Sequence, residues 1–369
     1  MTRSHFALIV VFVLVGVLLF TVRPVEKAGP SLEVNAAVDP APRGYVCYRA
    51  KAPITIDGKL DDPGWADAPW SEPFRDIEGD RRPEPQFRTR MKMLWDDQAL
   101  YIAAELEEPH IWGTLKNHDA VIFHDNDFEV FLDPDADGHL YGELELNALN
   151  TTWDLLLSKP YKDGGRAVDA WEITGLKTAV HVDGTLNNAQ DTDRGWTVEI
   201  AWPWKSIKEV ATCPVPPRHA DQWRINFSRV EWDHEIVGGM YRKVPKRPEH
   251  NWVWSPQGVI DMHRPERWGI VQFSTDPPGA TAFVPDPGQP ARDYLHRVYY
   301  AQRDYRKVHG QYARSPAGIG ATIGRAERQL SAARLETTRH GYEATVELLK
   351  PDGQRERWRI NHEALIVKD

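Results

Sequence analysis

Two alternating runs joined by a breaking turn constrain this chain more than any other part of it. In Asp127–Leu132, Phe128, Val130 and Leu132 fall on one side of an extended backbone and Asp127 and Glu129 on the other. Successive side chains of a strand point to opposite faces. The return run repeats the pattern, setting Leu144, Leu146 and Ala148 against Glu143, Glu145 and Asn147. Between them, Asp133-Pro134-Asp135-Ala136-Asp137-Gly138 supplies the residues that end a strand and turn a hairpin. The apolar side needs a core, while a side of carboxylates and amides suits a hydroxyl-rich ligand.

The two-residue period recurs along the chain. Arg90 and Lys92 alternate with Met91, Met93 and Trp95; Asp96-Asp97-Gln98 turns; Leu100, Ile102, Ala104 and Leu106 line a second arm. Trp196, Val198, Ile200 and Trp202 share one side of a later run. Trp223, Ile225 and Phe227 share one side of the next, leaving Arg224, Asn226 and Ser228 opposite. Trp268–Phe273 reads as a closing strand. Many short strands, polar turns and few helical patterns predict an all-β fold, a two-sheet antiparallel β-sandwich. With 369 residues, 41% hydrophobic and 27% charged, the chain has room for one large domain and an ordinary globular composition. A net charge of −9 excludes a general nucleic-acid binder, which needs excess Lys and Arg. The 15 Trp offer both core filling and flat rings for stacking.

The two ends differ from this body. Phe6–Val22 is a nearly unbroken apolar run behind Arg3 and His5, which predicts a signal peptide or single-span membrane anchor helix over 1–24. The body is then expected to be exported: periplasmic, extracellular or anchored to the outer face of the membrane. Pro and Gly make 25–43 a linker, the sandwich is expected over 44–276, and a second Pro- and Gly-rich linker, 277–290, leads to a small α+β appendage, 291–369. Tyr294, Leu295, Val298, Ala301, Gln302 and Tyr305 at three-four spacing predict a helix over Ala291–His309. Ala326–Leu335 extends it or adds another, and Tyr342–Leu349, Pro351-Asp352-Gly353 and Arg357–Val367 read as a hairpin. Cys47 and Cys213 are the cysteines: export would let them pair, burial would keep them as thiols.

Asp125, Asp127 and Glu129 share one strand face if the strand reaches that far, a spacing that acid–base work on a glycosidic bond can use. Hydrogen bonding from ionised carboxylates needs no perturbed acid, so the sequence favours a non-catalytic binding module over a glycoside hydrolase. Asp133-x-Asp135-x-Asp137-Gly138 begins like a calcium loop, with oxygen ligands at alternate positions; its twelfth position is Leu144 rather than Glu, so it is no EF-hand. Calcium at Asp133, Asp135 and Asp137 is weighed against a simply solvated acidic turn. Trp252 and Trp254 share a face, for stacking or for the core.

IDGKLDDPGW (56–65), KMLWDDQALYIAAEL (92–106), HDNDFEVFLDPD (124–135) and GWTVEIAWPW (195–204), in this order, resemble carbohydrate-binding module family 9 from about Tyr45 to Ser274. The resemblance implies a β-sandwich that holds the end of a sugar chain between aromatic rings, often attached to polysaccharide-degrading enzymes. By the same resemblance Glu129 matches the acidic residue and Asn147 the amide that meet sugar hydroxyls; Glu145 stands where xylan-binding members carry Arg. The ring-clamp positions fall at Phe123 and Met262. Related DOMON sandwiches bind haem noncovalently through Met, His or Lys, for which Met262-His263 would serve. The expected ligand face is Phe123, Glu129, Glu145, Asn147, Arg224 and Asn226, with Trp254 as a stacking ring, and the expected partner is a poly- or oligosaccharide met in polysaccharide catabolism.

Overall fold

A strand with apolar side chains on one face must lay that face on something, and here the strands curl around a tryptophan-rich core. The computed structural model describes residues 41–323 and 326–369. The predicted signal or anchor helix and most of the first linker lie outside the described residues. Among the described residues no helix is long and apolar enough to cross a membrane.

The long strands are β1 (Gly44–Arg49), β2 (Thr89–Trp95), β3 (Ala99–Glu107), β4 (Asp127–Asp133), β5 (Tyr141–Asn147), β6 (Thr152–Leu157), β7 (Lys177–Asp183), β8 (Gly195–Pro203), β9 (Gln222–Glu231), β10 (His250–Val253) and β11 (Gly269–Ser274). They pair in the order β6-β5-β4-β9-β11-β1-β2-β3-β8-β7, with β10 beside the end of β9. The body is mostly β, but the two expected antiparallel sheets are one continuous curled sheet. Strand β1 joins the halves: Gly44–Tyr48 pair with β11, and Tyr48 and Arg49 with β2, both in parallel.

Phe128, Val130, Leu132, Leu144 and Leu146 point into a core shared with Met91, Met93, Ile102, Val198 and Ile200 from the other half. Trp223 meets Phe273 edge-on, with centroids 4.8 Å apart, and Trp204 at 6.0 Å. Such T-shaped packing suits the ring quadrupoles. Cys47 lies in this core and Cys213 is half-buried; both are free thiols, so the disulfide is not formed.

The segment that opens the sequence resemblance is fastened outside β8 by one carboxylate. Glu199 is fully buried, accepting Trp65 Nε1–H at 2.6 Å on one oxygen and the Asp57 and Gly58 amides at 2.9 and 2.8 Å on the other. Gly58 has φ +86°, and a Cβ there would lie 2.6 Å from the His181 nitrogen, so the turn requires glycine.

Beyond the body, the helix α1 (Gln289–His309) ends on Gly310 in the left-handed region. It packs Leu295, Val298 and Tyr299 against β13 (Tyr342–Leu349) and β14 (Arg355–Asn361), which lie between β12 (Arg334–Thr337) and β15 (Ile366–Lys368). The helix expected over Ala326–Leu335 is corrected. Apart from the short helix Gly320–Ile323, this region is irregular and runs into β12, whose pairing with β13 supplies the backbone bonds a helix would have made. The C-terminal region also touches the Asp-rich turn: Ile366 N donates to Asp137 O at 3.1 Å and Arg292 to Ala136 O at 2.5 Å.

Replacing Glu199 with Ala strands two buried donors, Trp65 Nε1–H and the Gly58 amide, and the partly buried Asp57 amide. Loss of the clamp should lower unfolding stability by about 3 kcal/mol or more, read as a shift of the urea midpoint; an unmoved midpoint would show that the segment is held elsewhere.

Candidate functional site

The outward face of the β4–β5 hairpin is built by register. Asp127 stands opposite Asn147, Glu129 opposite Glu145 and Phe131 opposite Glu143. Across β5, Glu145 meets Trp153 and Glu143 meets Leu155, and on the other flank Ser228 of β9 faces Glu129. Asp127, Glu129, Glu143 and Glu145 thus share one patch, each at most 5% exposed.

None of these carboxyls has an ion pair among the contacts of the described residues. Glu145 Oε2 accepts the Phe123 amide at 3.0 Å and Asp127 Oδ1 the Val230 amide at 3.1 Å. Asp127 Oδ2 and Glu143 Oε2 are buried and accept nothing. Burial first, and Glu249 beside it, push the Glu129 carboxyl up to about 7. Burial likewise drives Asp127, Glu143 and Glu145 well above the usual carboxylate range, with the repulsion of Glu129 adding to it. All four move the same way, because burial and mutual repulsion both favour the protonated form. Carboxyls that keep their protons offer hydroxyl groups both an O–H donor and acceptor oxygens.

Aromatic rings frame it. Phe123, half-buried, lies 6.4 Å from Trp153 with planes 28° apart. Tyr161, 47% exposed, sits against His263 at 4.5 Å. Burial, then the charge of Glu143, raises the Tyr161 hydroxyl to about 12. Trp232 donates to Phe123 O at 2.9 Å, and Lys243 Nζ lies 3.4 Å over the Trp232 ring. Trp153 and Tyr161 are absent from the sequence-predicted set. Trp153 was within reach of that reasoning, because the alternation of β5 continues into β6 and sets it beside Glu145; Tyr161 comes from a loop with no period.

The structure brings Phe123, Glu129 and Glu145 together and assigns the other expected residues elsewhere. Asn147, fully buried, spends its amide locally: Nδ2 donates to Leu115 O and Asp125 Oδ2, and Oδ1 accepts from Leu149 and Thr151. Asn226 clamps both backbone groups of Ser255. Arg224 lies beneath α1, donating to Trp268 O at 3.0 Å and to the Gln289 side chain, not to the acids. Trp254, 1% exposed, packs in the core against Tyr45 and Phe227 and offers no stacking surface. Asp133, Asp135 and Asp137 bring carboxylate oxygens within 4.8 Å of one another. Most are already used: Asp133 accepts the Ala136 and Gly138 amides, Asp137 that of His139, and Asp135 the amide and hydroxyl of Thr212. Met262 packs partly buried beside Trp268, and His263 Nδ1 is bound to the Tyr141 hydroxyl at 2.8 Å.

Residues 56–215 match the family model described as carbohydrate family 9 binding domain-like. Three solved structures are similar. Two are a carbohydrate binding module family 9 from Caldicellulosiruptor kristjanssonii: one in complex with cellotriose (16% identity, TM-score 0.41, 66% of this chain and 100% of that chain), one with glucose (18%, 0.41, 63% and 96%). The third is a protein from Bacteroides uniformis for which carbohydrate binding has been proposed (12% identity, TM-score 0.48, 63% of this chain and 100% of that chain). No curated protein matches the chain significantly.

The acidic patch fixes a sign for pH. Because its folded carboxyls hold protons that the unfolded chain releases, stability should fall as pH rises from 4.5, the ordinary Glu value, through about 7. Glu143→Gln removes one of the repelling charges and should raise stability at about pH 8 by about 1 kcal/mol or more, the two thermal midpoints converging towards about pH 5. A variant less stable than the wild type at the higher pH would refute this account.

Proposed function

Residues 56–215 belong to the carbohydrate family 9 binding domain-like family, and from that premise we propose that the chain is a non-catalytic carbohydrate-binding protein. Its ligand is a poly- or oligosaccharide, taken on the outward face of β4, β5 and β6. The observation that carries this reading is the stacked pair of half-buried rings, Phe123 and Trp153, at Glu145 on the strand face where Asp127 and Glu143 each keep one oxygen without a partner. A sugar ring has an apolar face for the rings and hydroxyls for the acids, and a site of a few oriented polar groups among aromatics is the usual form of a small-ligand site. The apolar run Phe6–Val22 supports an exported protein, released or held at the outer face of the membrane. In that compartment a role in polysaccharide catabolism follows from the ligand class.

The test is affinity electrophoresis of the protein through gels containing soluble glucans, xylans, mannans and pectins, followed by calorimetry with oligosaccharides of the retained polymer. Trp153→Ala should weaken binding about tenfold, the equivalent of about 1.4 kcal/mol of ring contact. If no glycan in the panel retards the wild type, or Trp153→Ala binds unchanged, this face is not the site.

A further inference from the structure

We propose that the chain carries a second, independent ligand site: a divalent metal site of the kind that takes Zn²⁺, built from His118, Asp119 and Asp154 at strand β6, whose ligand atoms lie within 4.8 Å of one another. His118 Nε2 lies 3.4 Å from Asp119 Oδ1, 3.6 Å from Asp154 Oδ1 and 3.2 Å from Glu172 Oε2. Zinc bonds of about 2.0–2.2 Å to nitrogen and oxygen put tetrahedral ligands about 3.3–3.6 Å apart. The separations of Nε2 from Asp119 and Asp154 therefore fit one ion shared by these three residues, with Glu172 beside the ring but outside the group.

The other ring nitrogen gives the direction of the lone pair. His118 Nδ1 is 3.0 Å from the Thr152 carbonyl oxygen and 3.1 Å from its hydroxyl, so Thr152 holds that nitrogen and Nε2 is turned towards the carboxylates, which it meets as an N–H donor when protonated and as a metal ligand once that proton is displaced. Metal-binding histidines are commonly fixed in this way by a backbone carbonyl.

A separate observation points to an absent ligand. Asp154 has a side chain only 2% exposed. Its Oδ2 accepts the Ile173 amide at 2.5 Å, while Oδ1, the atom facing His118 Nε2, accepts no hydrogen bond. A buried oxygen without a donor is costly unless something binds it. An imidazole nitrogen beside two carboxylates suits zinc better than calcium, which takes oxygen ligands in larger number. The ion would join β6 to the 117–124 segment that presents Phe123. The site rests on its own geometry and not on the saccharide reading.

The experiment is isothermal titration of the full-length, untagged, EDTA-treated protein with Zn²⁺ at about pH 7, with Ca²⁺ and Mg²⁺ as comparisons and thermal midpoints read in parallel. One equivalent of Zn²⁺ should bind and raise the midpoint. His118→Ala and Asp119→Ala, both at exposed positions, should each weaken binding at least about tenfold. Three outcomes overturn the proposal: no saturable Zn²⁺ binding, Zn²⁺ binding that survives His118→Ala, or a response to Ca²⁺ alone. The first, with a titrating His118 ring, would mean that a protonated imidazole fills the cluster instead.

Discussion

A single register governs the body: Glu129 lies opposite Glu145, so Phe128, Val130, Leu132, Leu144 and Leu146 must all face the other way. A slip of one residue would turn the acids into the core and the aliphatics out to the surface, which is why a half-buried hairpin tolerates no alternative pairing. The tryptophans of the core reinforce the choice. Trp196, Trp202, Trp223 and Trp254 are at most 2% exposed, and each has burial to lose if the hairpin shifts. The inward side is therefore strongly stabilising, and the outward side is free to be something the fold alone would not select.

What it becomes is a patch of like charges. Acids directly opposite one another across a strand pair repel, and Glu129 faces Glu145 with Glu143 and Asp127 close by. The nearby buried charges are handled in another way. Arg229 bridges Glu108 and Glu231 at 2.7 and 2.8 Å, and Asp125 is saturated by Thr114, Leu115 and Asn147. Within one protein, then, some buried carboxylates are given partners and others are left short of them.

How far the sequence exposes this depends on the range of the interaction. The alternation of β4 and β5 is local, so the acidic face and its apolar reverse can be read directly from residues 127–148. The three-four spacing of α1 is legible for the same reason. Partners set by distant chain are not. The alternation of β9 puts Arg224 and Asn226 on the face of the acids, but Trp268 and Gln289 hold the first and Ser255 the second. Trp254 follows a strand pattern that fits either stacking or burial, and only the position of Tyr45 beside it decides. The continuity of the sheet depends on Tyr48 reaching both Leu94 and Ser274, which no local period encodes.

The two groups of acids in and beside β6 differ in how their carboxyl groups are left incomplete. On the outward patch the burden is shared: four carboxyls are raised together, and the protons they retain remove much of the repulsion. At Asp154 it is localised in one oxygen, with a histidine whose other nitrogen is already committed to Thr152. Protonation relieves the first kind of defect without specifying a ligand geometry, whereas the second has a direction and a distance. The first is spread over a strand face and the second is confined to one atom. The segment 117–124, with His118 and Asp119 near its start and Phe123 near its end, touches both: His118 reaches Thr152 and Asp154, and the Phe123 amide is bound by Glu145.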